Sequence, residues 1–216
     1  MLSYYVGNVG IGGGEPVRLM AVINASPESF FSSSYVPREQ LRDTAIRFME
    51  DGAEILDLGA RSTAPDAPPL TAAEERTRVC ASLKELEGIG LPLSVDTMFP
   101  EVLEAALRYD IDAINDIHGL ASPDYARVAA DAGLPVFLMA SNVVPGDAVG
   151  LAATHAACEP VIERAHRAGI EEIILDPAIG RWTPERTFED DWDICREFST
   201  FHEHGYPLLA AVSRKS

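Results

Sequence analysis

The sequence predicts a single α/β domain of the TIM (β/α)8-barrel type, with seven strand–helix units in its 216 residues. Short apolar runs alternate with longer amphipathic stretches, which is typical of a parallel sheet covered by helices. This alternation also fits a doubly wound open sheet. Each predicted strand, however, ends on polar side chains. Such endings favour a barrel, in which all the strand ends converge on one mouth.

Seven apolar segments are interpreted as strands because each is short, buried in character and followed by polar residues. In chain order they are RLMAVIN (18–24), EILDLGA (54–60), PLSVDT (92–97), AINDI (113–117), PVFLMAS (135–141), EIILDPAIG (172–180) and PLLAAVSRKS (207–216).

The segments between these strands have helical periodicity and helix-end signals. Thr71 and Glu74 form a predicted capping box, Pro100 lies in a first turn, and Gly52 ends the first helix. Pro160 predicts an irregular start to its helix. The predicted helices are 38–52, 71–88, 100–110, 124–133, 156–169 and 188–205.

The first residues, YVGNVGIGGGEPVRL, precede the first barrel strand. Their GNVGIG stretch matches a dinucleotide-binding fingerprint only loosely, and no helix follows it as that fingerprint requires. We therefore expect an N-terminal β-hairpin that turns at residues 12–14.

Composition excludes several classes of function. The net charge of −17 argues against nucleic-acid binding, which depends on Lys and Arg neutralising phosphates. No apolar run reaches the roughly 20 residues of a membrane span, and the N-terminus lacks the pattern of a signal peptide. The three cysteines lie far apart in helical segments and are expected to be reduced. A cytoplasmic protein without membrane association is predicted.

The strand ends carry the candidate chemistry. Asp96, Asn115 and Asp176 offer two carboxylates and an amide, which suit a planar heterocycle that presents N–H and NH₂ donors. Lys215 adds a cation, and Asn24 can offer an oxygen to a metal. Each residue alone could be a helix cap or a turn residue, and two carboxylates could instead chelate a metal. The predicted strand ends contain no histidine, which argues against zinc there.

Six motifs occur in order: VINASPESF, ILDLGARST, LSVDT, INDIHG, LDPAIG and AVSRKS. Together they resemble the dihydropteroate synthase family of pterin-binding barrels, from about residue 18 to residue 216. The resemblance implies a transferase that joins 6-hydroxymethyl-7,8-dihydropterin pyrophosphate to 4-aminobenzoate with release of pyrophosphate. It also implies Mg²⁺ as the cofactor.

The same resemblance assigns roles to the strand-end residues. It implies that pterin is held by Asp96, Asn115, Asp176 and Lys215, with Met139 packed on its face. Asp96 and Lys215 are the candidate catalytic residues, and Asn24 is the candidate Mg²⁺ ligand. Thr63 and Ser216 are expected near the aminobenzoate.

The sequence departs from the family pattern most clearly in the second loop and at the C-terminus. In the second loop, Arg61 replaces an acid, Ala64 replaces an arginine and Asp66 replaces a glycine. Family members also continue beyond Ser216 through a helix and an eighth strand, so the single domain 1–216 is expected to be incomplete at its C-terminus.

Two alternative functions remain open. One is a pterin-dependent methyltransferase on the same scaffold, and the other is a non-catalytic pterin-binding relative. Partners are expected to be small pterin and arylamine molecules, and a homodimer is a further possibility.

Overall fold

The computed structural model describes residues 2–27, 35–61 and 70–213. These residues form two compact units. The N-terminal unit contains residues 5–9 and 17–115, and the C-terminal unit contains residues 2–4, 10–16 and 116–213. The predicted single domain 1–216 stays a prediction.

The first residues form the expected antiparallel hairpin, with strands β1 (Ser3–Val6) and β2 (Val9–Gly12). Its predicted turn at residues 12–14 is wrong, because the chain reverses between Val6 and Val9. Gly7 adopts φ +56° there, and a Cβ at this position would lie 2.8 Å from Oδ1 of Asp112. The left-handed backbone therefore favours glycine, and a larger residue would also have to displace the Asp112 carboxylate.

The N-terminal unit contains four parallel strands in chain order, which are β3 (Met20–Asn24), β4 (Ile55–Gly59), β5 (Leu93–Asp96) and β6 (Ala113–Asp116). Its helices are α1 (Leu41–Glu50), α2 (Ala72–Leu86) and α3 (Pro100–Ala106), with a 3₁₀ turn at Arg38–Gln40. The predicted capping box of Thr71 and Glu74 opens α2. Strands β4 to β6 are almost entirely buried, as parallel strands covered by helices are.

The C-terminal unit contains two further parallel strands, β7 (Val136–Met139) and β8 (Ile173–Asp176). Its helices are α4 (Pro123–Ala132), α5 (Leu151–Ala168) and α6 (Phe188–Arg196), followed by a 3₁₀ helix at Phe198–His204. None of the helices in the described part of the chain is long and apolar enough to cross a membrane.

Two helix predictions were wrong in detail. Pro160 does not make the start of its helix irregular, because α5 begins at Leu151 and continues through the proline. Buried side chains on both sides of Pro160, including Cys158 and Val161, keep this stretch helical.

The segment 188–205 is also not one α-helix, because it changes to 3₁₀ geometry after Arg196. With three residues per turn, the 3₁₀ helix aligns Phe198, Phe201 and His204 in one row of rings.

Only the beginning of the seventh predicted strand pairs with the sheet, through a single bridge. Leu208 forms one parallel bridge with Leu175 of β8, supported by hydrogen bonds from Leu175 N to Pro207 O at 2.8 Å and from Leu209 N to Leu175 O at 2.9 Å. The described residues after Leu209 are not in a strand, and 214–216 lie outside the described residues.

Candidate active site

Three of the predicted site residues lie in register at the ends of neighbouring strands in the N-terminal unit. Asn24 pairs with Gly59, Gly59 with Asp96, and Asp96 with Asn115 across the parallel strands. Because parallel strands end at the same edge of a sheet, this register brings Asn24, Asp96 and Asn115 to one edge. The sequence prediction that these side chains share an edge is therefore consistent with the register.

A buried carboxylate beneath this edge orients Asn115. The Nδ2 of Asn115 donates to Oδ2 of Asp57 at 2.9 Å, and the two residues are only 9% and 4% exposed. An ionised carboxylate can only accept, so the amide nitrogen faces Asp57 and the amide oxygen of Asn115 is directed elsewhere. Asp57 thus fixes the orientation of the Asn115 amide.

The other oxygen of Asp57 has no hydrogen-bond partner among the described residues. Oδ1 of Asp57 and Oγ of Ser94 are both buried and both lack a partner of ordinary geometry there. Burial raises the pKa of Asp57, and the nearby polar groups of Asn115 and Ser94 oppose this rise. A buried acceptor without a partner is costly in a folded protein, and it is therefore a candidate for contact with a ligand or a water molecule.

Asn24 has the geometry of a loop-shaping residue. Its Oδ1 accepts a hydrogen bond from the backbone N–H of Ser26 at 2.9 Å, immediately after β3. This bond orients the amide oxygen, and an amide oxygen has a second lone pair. Mg²⁺ prefers oxygen ligands and usually keeps several waters beside one or two protein ligands and substrate phosphates. The donor chemistry of Asn24 fits that requirement.

Arg61, from the second loop, is engaged in a cluster of its own. Its Nε donates to Oε2 of the fully buried Glu75 at 2.6 Å, its Nη2 donates to the carbonyl of Leu70, and its guanidinium lies 4.7 Å from the ring centre of Phe99. Thr97, directly after Asp96, donates its hydroxyl to Oε1 of Glu75 at 2.5 Å. Arg61 therefore connects the end of β4 to α2 and to the loop after β5.

Asp176 and Met139 are register neighbours at the ends of β8 and β7 in the C-terminal unit. Both are buried, with exposures of 6% and 1%. Oδ1 of Asp176 accepts from the backbone N–H of Ala178 at 2.8 Å. Ala178 has φ +58°, a left-handed conformation that costs a non-glycine residue about 1–2 kcal/mol. Such strain is typical of functional loops.

Asp116, next to Asn115 in the sequence, shapes its loop. Its carboxylate accepts from His118 N at 2.8 Å and Leu120 N at 2.5 Å, and burial raises its pKa. The interpretation of an Asn-Asp pair as a turn thus applies to Asp116. Arg164 of α5 holds the same loop by donating to Gly119 O at 2.6 Å and to Ser141 O at 3.0 Å.

Sequence reasoning counted Asp57 among the polar strand endings, with at most a loop-shaping role. It lies instead in the middle of β4, where it orients Asn115. Arg164 gave no signal, because one arginine on an amphipathic helix is ordinary. The predicted residues Thr63, Lys215 and Ser216, together with Ala64 and Asp66, lie outside the described residues.

Comparison with known proteins identifies the family. Residues 20–216 match the family described as pterin binding enzyme. Dihydropteroate synthase of Bacillus subtilis strain 168 is 32% identical over 206 residues, covering 93% of this chain and 71% of that protein. The solved structure of Xanthomonas albilineans dihydropteroate synthase with 4-aminobenzoic acid has a TM-score of 0.79 and 33% identity, covering 92% of this chain and 73% of that chain.

A second structure, the Xanthomonas albilineans enzyme in complex with 7,8-dihydropteroate, has a TM-score of 0.80 and 29% identity over 99% of this chain and 79% of that chain. These similarities confirm the predicted α/β barrel class and the predicted family resemblance. The chain therefore belongs to the pterin-binding enzyme family, whose dihydropteroate synthases resemble it over most of its length.

Proposed function

We propose that this chain is a transferase that condenses 6-hydroxymethyl-7,8-dihydropterin pyrophosphate with 4-aminobenzoate or a related arylamine. The proposal is supported by its relatives, which are named dihydropteroate synthases, and by the ligands of the Xanthomonas albilineans structures, 4-aminobenzoic acid and 7,8-dihydropteroate. The ring and the arylamine are therefore both represented among ligands of similar proteins.

The observation that carries the proposal is the pairing of Asn115 with Asp57 beside Asp96. Asp57 accepts the amide N–H of Asn115, so the amide oxygen of Asn115 is directed away from Asp57, and Asp96 is the register neighbour of Asn115 at the same edge. A pterin presents ring N–H and exocyclic NH₂ donors in one plane. Carboxylates accept such paired donors strongly and with directional preference.

The remaining predicted residues complete this proposed site. Asp176 adds a second carboxylate for the pterin, and Met139 provides a polarisable side chain against the ring face. Lys215 pairs with the pterin carbonyl, while Thr63 and Ser216 contact the aminobenzoate. These assignments rest on the family resemblance of their motifs.

Mg²⁺ is proposed as the cofactor, with Asn24 as its protein ligand at the end of β3. Bound there, Mg²⁺ would supply positive charge that stabilises the departing pyrophosphate. The bond between the pterin methylene carbon and the pyrophosphate oxygen breaks, and a bond to the arylamine nitrogen forms. The arylamine then loses one proton, and pyrophosphate leaves with the electron pair of the broken bond.

The protein groups contribute mainly by position and electrostatics. Asp96, Asn115 and Asp176 fix the pterin so that its methylene faces the arylamine, which replaces an encounter in solution by a fixed geometry. Carboxylates near the ring tolerate the cationic character that the methylene gains as pyrophosphate departs. An arylamine is a free nucleophile at neutral pH, so no strong general base is required.

Pyrophosphate release tests the proposal. The purified protein with Mg²⁺ and both substrates is expected to release pyrophosphate and form dihydropteroate in equal amounts, and omission of the arylamine should stop product formation. Asp96→Asn should reduce turnover strongly. Absence of both products from the folded protein would refute the proposal, whereas methyl transfer from a methyl-tetrahydropterin would favour the alternative methyltransferase.

The proposed partners are these small molecules. A net charge of −17 disfavours binding to nucleic acid, since both would be anionic. A homodimer remains an expectation from the family, and light scattering of the purified protein would measure it.

A further inference from the structure

Three potential metal ligands meet where α5 contacts the 3₁₀ helix Phe198–His204, within the C-terminal unit. Nδ1 of His155 lies 3.2 Å from Nε2 of His204 and 3.0 Å from Oε1 of Glu203. All three ligand atoms lie within 4.8 Å of one another. Zn–N bonds of about 2.0–2.1 Å in a tetrahedron separate neighbouring ligand atoms by about 3.3 Å. The separations of 3.2 Å and 3.0 Å from Nδ1 of His155 are close to that value.

The hydrogen bonds around His155 determine which of its nitrogens carries a lone pair. Thr200 donates its hydroxyl to the carbonyl of Glu197 at 2.6 Å, so its oxygen must accept from Nε2–H of His155 at 2.9 Å. In the neutral imidazole this leaves the lone pair on Nδ1. That lone pair faces a carboxylate oxygen of Glu203 at 3.0 Å, so two acceptors oppose each other.

A positive species between the two acceptors would relieve their repulsion. A proton on Nδ1 of His155 could bond to Glu203 or to His204, but not well to both. A divalent cation between the three ligand atoms would bind all of them at once.

The ligands are also held in position before any metal binds. The His155 ring is stacked on Phe201 with centroids 3.9 Å apart and an interplanar angle of 4°. Thr200 fixes the second ring nitrogen, as outer-shell partners of metal-binding histidines commonly do. The His155 side chain is 19% exposed and that of Glu203 is 65% exposed, so a cation can enter from solvent.

We propose that His155, Glu203 and His204 form a binding site for one divalent transition-metal cation such as Zn²⁺, distinct from the proposed Mg²⁺ site. Two imidazoles and a carboxylate select zinc-like metals over Mg²⁺, which prefers oxygen ligands. The fourth position is left for water. Bound metal would fasten the 3₁₀ helix to α5.

Zinc titration of the full chain tests the site, with Mg²⁺ present in excess throughout. Calorimetry is expected to show one Zn²⁺ bound per wild-type chain. His204→Ala and Glu203→Gln should each weaken binding at least tenfold. Thr200→Val, which removes only the partner of Nε2, should weaken it roughly tenfold to hundredfold. X-ray absorption spectroscopy at the zinc edge should show two imidazole nitrogens bound to Zn²⁺.

The matched control is His202→Ala, which removes an exposed histidine from the same 3₁₀ helix. It should bind Zn²⁺ as the wild type does. Equal Zn²⁺ affinity in His204→Ala, no binding to the wild type, or loss of binding in His202→Ala would overturn the proposal. Circular dichroism verifies that each variant is folded. If His204→Ala unfolds, Glu203→Gln still tests the site, because it changes an exposed side chain. The titration uses no pterin, so its result is independent of the pyrophosphate assay.

Discussion

Replacing Asp57 with leucine removes the acceptor that orients the Asn115 amide while keeping a side chain of similar size. The hydrogen bond is 2.9 Å long and involves a buried carboxylate. Hydrogen bonds to charged groups contribute about 1.5–3 kcal/mol. If that orientation is what presents Asn115 to the pterin, affinity should fall about tenfold to hundredfold, since 1.4 kcal/mol corresponds to a factor of about ten.

Asp57→Asn is the informative partner variant. It retains a carbonyl oxygen that can accept from Asn115, and a neutral hydrogen bond contributes about 0.5–1.5 kcal/mol. Its affinity for pterin should therefore lie between those of the wild type and Asp57→Leu. Calorimetric titration with a pterin pyrophosphate analogue measures the three affinities, and thermal melting verifies that each variant is folded.

Asp112→Asn serves as the control for this series. Asp112 lies just before β6, at the opposite end of that strand from Asn115, and accepts from Leu93 N at 2.9 Å. It should alter stability without altering pterin affinity. Wild-type affinity in Asp57→Leu, or equal losses in Asp57→Leu and Asp112→Asn, would refute the reasoning.

Three further predictions address the neighbouring residues. Arg61→Ala leaves the buried Glu75 without its ion-pair partner and should lower the free energy of unfolding by about 3 kcal/mol in urea titrations, whereas the exposed pair removed by Arg38→Ala should cost below about 1 kcal/mol. Equally small losses of unfolding free energy in Arg61→Ala and Arg38→Ala would contradict this prediction. Burial raises the pKa of Asp57, so its contribution to stability is fully present below the unfolded value near 3.8 and is lost as pH rises through the folded pKa. Asp57→Asn should therefore gain stability relative to the wild type over that pH range. Parallel profiles of stability against pH for the two proteins would refute this prediction. Removing Mg²⁺ with a chelator should abolish pyrophosphate release, and Asn24→Ala should raise the Mg²⁺ concentration required for half-maximal rate; an unchanged requirement would exclude Asn24 as the ligand.

Elements with strong local signals were predicted correctly, and elements with competing signals were not. The buried strands β4 to β8 are short apolar runs with polar ends, and Thr71 with Glu74 marked the start of α2. The hairpin turn was misplaced because both Gly7 and the glycines at 12–14 are typical of turns. In the structure the turn between the two strands is the one that contains Gly7, which has a left-handed backbone. The break after Arg196 was missed because the row of aromatic rings forms only in 3₁₀ geometry.

The candidate site divides in the same way. Parallel pairing makes strand-end residues neighbours whatever their separation in sequence, so Asn24, Asp96 and Asn115 could be predicted from strand boundaries alone. The hydrogen-bond partners of these residues could not be predicted from strand boundaries. Asn115 and its acceptor Asp57 are 58 positions apart, and Thr97 and Glu75 are 22 apart.

The sequence by itself determined the alternation of strands and helices, the polar strand ends and the family motifs, because hydrophobic periodicity and short motifs are local properties. Only the tertiary structure decided that Asp57 orients Asn115, that Arg61 pairs with Glu75, and that His155 meets His204. The physical reason is that side-chain partners are chosen by the register of the strands and the packing of the helices. Neither can be read from the spacing of residues along the chain.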